Sequence, residues 1–296
     1  MILDPELALR ERIMHALAGA TARSGGTLTY RELDAFDVGD GEVRRLRDTS
    51  RGIWNPKDLA GTLTVVSSPD GPYDDSAIED GYFHYDYRAG SAEGDNAKLR
   101  AAAELGLPII LLRKIDRGVY VPIFPVYVVR DDRERRQFVF ALDESLRFIS
   151  DPMHMTPSQK RYAERVVRQR LHQPEFRGRV IRAYNRRCTV CLLKHADLLD
   201  AAHIIGDRED GGDPVVTNGL SLSKIHHAAY DRQLLGISPD FVVSINRELM
   251  EEVDGPMLRH GLQEMNGRPL ELPGRRADWP DRDRLAARFQ EFSTAS

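Results

Sequence analysis

The sequence predicts an α+β protein of two domains, and three observations predict it. The chain has 296 residues, more than a single domain usually takes. Residues 1–150 alternate short apolar runs with glycine and proline, the texture of a curved sheet or a partly closed barrel. Residues 151–296 open on helical patterns and then carry a histidine, an asparagine and a histidine pair in the order apolar strand, polar loop, helix.

The first domain begins with a helix. Asp4 can cap it with Pro5 at its first position, and Leu7, Ile13, Met14 and Leu17 supply the apolar stripe. Gly25 and Gly26 end it, and Thr29-Tyr-Arg-Glu32 reads as a capping box opening a short helix through Leu33 and Phe36. Strands are expected at 63–66, 82–87, 109–112, 120–129 and 137–141, with a helix near 95–105. Pro122 and Pro125 place their strand at an edge or a bulge, because proline cannot donate to a ladder.

A polar, proline-marked stretch at 151–157 reads as a hinge. A helix over 157–172 follows, with Val166, Val167 and Leu171 inward, and Pro174 opens another with Phe176, Val180, Ile181 and Tyr184 inward. Between Lys160 and Arg187 there are ten lysines and arginines against two acids. That local excess suits a phosphate backbone, with Arg168, Arg179 and Arg186 as candidate contacts, although the whole chain carries a net charge of −4. Later come a strand at 241–245, a short helix at 255–261 and a last helix near 281–292.

Composition excludes several classes. No run approaches the roughly 18 apolar residues of a membrane span. The N-terminus lacks a basic start and an apolar core, so a cytoplasmic location is expected. Cys188 and Cys191 are the two cysteines, so no disulfide scaffold exists. A zinc site would need two further ligands, with His195 or His203 completing it, and structural zinc is not expected.

The chemistry gathers between Cys188 and Asp231. His203 follows Ala201-Ala202 and precedes Ile204-Ile205, Asn218 opens Asn-Gly-Leu, and His226-His227 precede Asp231. Hydrolysis of a phosphodiester needs an attacking water, a base near neutral pKa and a cation on the developing charge. Histidine supplies such a base, with an unperturbed pKa of about 6.5. On a helix His227 shares a face with Asp231, four residues on, while His226 pairs with Tyr230. Asp200 precedes His203 by three, and the two would meet only if the strand bends.

This D-x-x-H, N-G-L and H-x-x-x-D series resembles the HNH, or ββα-metal, nucleases. The resemblance implies His203 as general base, Asn218 as ligand or orienter, and His227 as ligand, with Asp200 and His226 as further metal candidates. The implied cofactor is a divalent metal, Mg²⁺ first, then Mn²⁺ or Ni²⁺. The implied partner is double-stranded DNA, and a homodimer would let two sites cut both strands.

In the first domain Gly71-Pro-Tyr-Asp-Asp75 followed by Asp80-Gly-Tyr-Phe-His-Tyr85 resembles the SRA domain that reads modified cytosine. That implies Tyr73 and Tyr85 stacking on an extruded base, with Asp75 reading its edge. Trp54 is a further stacking candidate. Where the SRA family has a glycine-rich run after the second tyrosine, this chain has Tyr87-Arg-Ala-Gly90. The implied architecture is a β-rich SRA/PUA-like pseudo-barrel at 1–150, then a helical linker and an HNH domain at 151–296. The function it implies is a restriction-type endonuclease acting on DNA with a modified base. The rivals are a DNA-binding protein without catalysis, and a nuclease whose first domain senses a ligand or partner.

Overall fold

The computed structural model describes residues 3–68, 78–79, 81–87, 94–149 and 155–295. These are mixed α and β and form two compact units: 1–21 with 26–175, and 22–25 with 176–296.

In the first unit the elements run α1 (Leu3–Ser24), β1 (Leu28–Thr29), α2 (Tyr30–Asp34), β2 (Phe36–Asp37), β3 (Val43–Arg44), β4 (Ile53–Trp54), β5 (Thr64–Ser67), β6 (Ile78–Glu79), β7 (Tyr82–Asp86), α3 (Asn96–Glu104), β8 (Ile109–Asp116), β9 (Val119–Asp132), β10 (Gln137–Ala141) and α4 (Pro157–Val167). Thr29 and Glu32 form the expected capping box, but α2 stops at Asp34 and Phe36 enters a strand. The main sheet runs β4-β5-β8-β9-β10-β7-β6, with β1 also on β9. Only β5 and β8 pair in parallel along that path.

The continuous run Ile109-Ile-Leu-Leu112 explains the centre of this sheet. Alternate residues of a strand face opposite sides. Ile109 and Leu111 join one core with Phe83, Tyr85, Phe138 and Phe140, while Ile110 and Leu112 join another with Ile13, Leu17, Leu33 and Leu46. A strand apolar on both faces is therefore a strand covered on both faces.

Pro122 pairs with Leu112 of β8, while β10 joins β9 only from Tyr127 onward, so among the described residues the other side of β9 carries no strand at either proline. A bulge is present as well: the ladder passes from Ile109↔Val126 to Leu111↔Ile123, so β9 carries an extra residue around Pro125. The two compact units divide after Glu175. Ala163, Val166 and Val167 of α4 and Leu171 bury in the same core as Phe83 and Phe140. Gly81 sits at φ +79 directly under α4, and a Cβ there would strike Ala163.

Charge is also buried. Arg10 is fully buried on α1, pairs with Glu6 at 2.7 Å, and donates to the carbonyls of Gly61, Thr62 and Pro108. Satisfying its donors lets a guanidinium sit in a core.

The second unit comprises most of α5 (Gln173–Ala183), β11 (Leu199–His203), β12 (Gly219–Ser223), α6 (Lys224–Asp231), β13 (Leu235–Ile237), β14 (Val243–Ile245), α7 (Arg247–Glu251), α8 (Pro256–Gly261) and α9 (Arg282–Ala295). Phe176, Val180, Ile181 and Tyr184 bury as the α5 stripe predicts, against Leu199, Ala202, Leu220, Leu222 and Leu285. Among the described residues no helix is long and apolar enough to cross a membrane.

Candidate active site

The site is built on a two-stranded hairpin and the helix that follows it. β11 and β12 are antiparallel, with Asp200 opposite Leu222 and His203 opposite Gly219. Leu199 and Ala202 anchor β11 in the core, leaving Asp200 and His203 half-buried. Ser223 then caps α6, its hydroxyl accepting from the His226 backbone N–H.

His203 lies flat against Phe176 of α5, with ring centroids 3.9 Å apart and planes 15° apart. Gly219 makes that approach feasible, because a Cβ there would meet Val180 at 2.4 Å and Phe176 at 3.0 Å. Burial pushes the His203 pKa below the ordinary histidine value. Asp207 and Asp231 pull it up and His227 adds to the lowering, but burial prevails. The ring is therefore a neutral, proton-accepting imidazole at neutral pH. Its Nε2 is buried and has no hydrogen-bond partner among the described residues.

His227 stands between two carboxylates. Its Nδ1 is 3.6 Å from Asp200 Oδ2, and its Nε2 is 3.3 Å from Asp231 Oδ2. The first distance is too long for a hydrogen bond. Two donors each about 2.1 Å from a shared ion stand roughly 3 to 3.5 Å apart, so the Asp200–His227 pair fits a divalent cation. The second contact places a carboxylate behind the imidazole, as metal-bound histidines have. The orphaned His203 nitrogen is a further donor or acceptor that the protein leaves unused. The bend imagined between Asp200 and His203 is not needed, since Asp200 meets His227 on α6.

Two expected ligands lie elsewhere. Asn218 is fully buried, and its carboxamide is committed to the backbone. Oδ1 accepts from Ile205 N–H at 2.9 Å, and Nδ2 donates to the carbonyls of Ile205 at 3.0 Å and Asp213 at 3.1 Å. It clasps the loop between β11 and β12 and so holds the segment directly after His203. These partners are all backbone groups of that loop.

His226 has different partners from His227. It is buried, with Nδ1 3.3 Å from Cys188 Sγ and 2.9 Å from Ser223 Oγ, and Nε2 2.7 Å from the Gly261 carbonyl. Successive helical residues differ by about 100° in direction, which separates the two histidines. His226, not His195 or His203, is therefore the residue that joins the cysteines. Cys188 and Cys191 share a hydrogen bond, and that bond, reinforced by His226, holds the Cys188 thiol well below its usual range.

Sequence reasoning missed Arg177. Its guanidinium donates to the carbonyls of Ala196 at 3.0 Å and Leu199 at 2.8 Å, fixing the residues just before Asp200. Burial lowers its pKa and Asp200 acts against that shift. The one signal was membership of the basic run, which does not separate a buried anchor from a surface contact. Arg186 is exposed beyond the end of α5, and Arg179 is half-buried on α5. Arg168 lies in the first unit, on a single π turn after α4.

The expected base-reading residues fare differently. Tyr73 and Asp75 lie outside the described residues. Tyr85 is a core aromatic: it stacks on Phe140 with centroids 5.4 Å apart, and its hydroxyl donates to the Gly52 carbonyl at 3.1 Å. Trp54 is half-buried against the α1 core, and its indole N–H donates to the Arg45 carbonyl at 2.9 Å. Both rings already have partners on their faces or edges, so neither is placed as a free stacking platform.

Residues 188–238 match the HNH_2 family, described as HNH endonuclease. The chain carries an HNH endonuclease domain. The match contains both strands of the hairpin, α6 and every residue of the Asp200–His203–His227 constellation. Among solved structures, a modification-dependent TagI restriction endonuclease is 18% identical, with a TM-score of 0.31, covering 89% of this chain and 90% of that one. The type IV phosphorothioation-dependent restriction endonuclease ScoMcrA is 16% identical, with a TM-score of 0.23, covering 84% of this chain and 52% of that one. Both scores are below those of a shared overall arrangement. No curated protein matches the chain.

Proposed function

We propose that this protein is a divalent-metal-dependent DNA endonuclease of restriction type, acting on DNA that carries a modified base, with modified cytosine favoured. The observation that carries the nuclease half is the 3.6 Å approach of His227 Nδ1 to Asp200 Oδ2 beside a buried, neutral His203. Asp200 and His227 would hold the cation, Mg²⁺ first. When bound, such an ion supplies positive charge against the scissile phosphate. His203 accepts the proton of the attacking water at an imidazole nitrogen, and Phe176 keeps that ring flat and partly dry. Asp231 orients His227 through Nε2, Asn218 clasps the loop behind His203, and Arg177 pins the entry to β11. Arg179 and Arg186 hold the DNA backbone.

The modified-base half rests on the likeness of residues 71–85 to the SRA reader and now needs Tyr73 and Asp75 without Tyr85 as a partner. Cleavage of plain and cytosine-modified plasmid, each with Mg²⁺ and with EDTA, tests both halves. The expected result is Mg²⁺-dependent cutting confined to the modified substrate. No cutting under any condition removes the nuclease reading. Equal cutting of both substrates keeps the nuclease and removes the modified-base reading. The packing of Tyr85 on Phe140 would then favour a first unit that senses a ligand or partner.

A further inference from the structure

The nuclease chemistry leaves one polar cluster of the second unit unused. Cys188 is fully buried at the end of the α5 connection, and Cys191 lies at the solvent edge. The turn between them is tight: Cys188 N–H donates to the Leu193 carbonyl, Leu192 N–H donates to the Cys188 carbonyl, and Leu192 takes a φ of +65. That left-handed residue turns the chain back after Cys191, so that the Leu193 carbonyl meets the Cys188 N–H. Both sulfurs and an imidazole nitrogen of His226 lie within 4.8 Å of one another.

The state of His226 adds an independent observation. Its Nε2 is 2.7 Å from the Gly261 carbonyl oxygen, which can only accept, so Nε2 carries the proton. Nδ1 faces Cys188 Sγ and Ser223 Oγ, and offers them a lone pair when the ring is neutral. A carbonyl fixing the far nitrogen of an imidazole is the arrangement found behind metal-bound histidine. Two sulfurs and one imidazole form a soft donor set, which selects zinc-like ions and discriminates against Mg²⁺.

We propose that Cys188, Cys191 and His226 hold a thiophilic divalent cation of the zinc class, separate from the Asp200–His227 site, with the Ser223 hydroxyl at the fourth position. Both sulfurs bind as thiolates, and any proton still shared between them is released on binding. The ion ties together the 188–193 turn, the first turn of α6 and, through Gly261, the end of α8. Ser223 already caps α6, so the site fixes the rotation of the helix that presents His227. The site would be a weak one for its class, because a hydroxyl is a poorer zinc ligand than a thiolate.

Cobalt substitution of the full chain tests this. The expected result is one thiolate-bound Co²⁺ per chain, showing a sulfur-to-cobalt charge-transfer band and the strong visible bands of a tetrahedral site. Zinc should displace that ion and Mg²⁺ should not. The bands should survive His227→Ala, disappear in Cys191→Ser, and zinc affinity should rise at least tenfold in Ser223→Cys. Absence of the charge-transfer band in the unaltered chain overturns the proposal whatever the variants do. Persistence of the band in Cys191→Ser overturns it as well, and unchanged affinity in Ser223→Cys overturns the assigned fourth ligand. Zinc should also slow alkylation of Cys191 at least tenfold, and equal rates with and without zinc would contradict the ligand set.

Discussion

Two neighbouring histidines on α6 have opposite surroundings. His226 is buried between a thiol, a hydroxyl and a carbonyl, while His227 is half-exposed between Asp200 and Asp231. Chain neighbours on a helix leave it in different directions, so one faces the interior with Ala229 and Tyr230 and the other faces the hairpin. In the proposed reading one face of the helix serves structure and the other serves reaction, and this difference orders the expected effects of mutation.

The largest effect is expected from His227→Ala, which removes one of the two candidate ligands. Mg²⁺-dependent cleavage should fall to the background of the EDTA control, while urea denaturation shows a stability change within about 0.5 kcal/mol, as for most exposed sites. His226→Ala should give the reverse pattern. Leaving the Gly261 carbonyl and the cysteine cluster unpaired should cost about 1–3 kcal/mol, with a much smaller loss of cleavage under native conditions. Equal loss of activity in the two variants at full folding would break the comparison.

Asp231→Asn probes the residue behind His227. Outer-shell partners of this kind are worth about 10–100-fold in metal affinity, so the Mg²⁺ concentration for half-maximal cleavage should rise by that factor. Asn218→Ala sharpens the contrast in another way, since it strands the backbone groups of Ile205 and Asp213. A loss of about 1–3 kcal/mol in stability is expected, with Mg²⁺ dependence unchanged; a rise in the Mg²⁺ concentration for half-maximal cleavage would restore Asn218 as a ligand.

The smallest effect is one of pH. His203 must be neutral to accept a proton, and burial lowers its folded pKa below the unfolded value. Activity should therefore be complete at pH 7 and decline only as pH falls through a midpoint below about 6.5. The same lowered pKa means that the folded state resists protonation, so this group's contribution to stability is present above the unfolded pKa and is lost toward acid. A rate profile with its acid midpoint above pH 7 would contradict the buried neutral base.

The sequence was most legible where a local rule decides the outcome. The Thr29–Glu32 capping box, the α5 stripe and the buried run at 109–112 are set by short-range patterns, and each is present in the structure. It was least legible where a partner must be chosen. The periodicity of α4 shows that Val166 and Val167 turn inward, but not that their core is that of the sheet. Alternation in Tyr82–Asp86 is as consistent with an aromatic pocket as with the filled core that houses Tyr85. The order His, Asn, His locates the site, yet only the fold shows the Asn218 carboxamide spent on backbone and the His226 ring turned to the cysteines.

The most direct test of the central claim is single-turnover cleavage of a bound DNA substrate by His203→Ala with saturating Mg²⁺. If His203 is the base, the rate falls by about 10²–10⁴-fold while DNA binding and Mg²⁺ affinity stay within twofold. A rate within tenfold of the unaltered chain, with the protein folded and the DNA bound, would show that another group takes the proton.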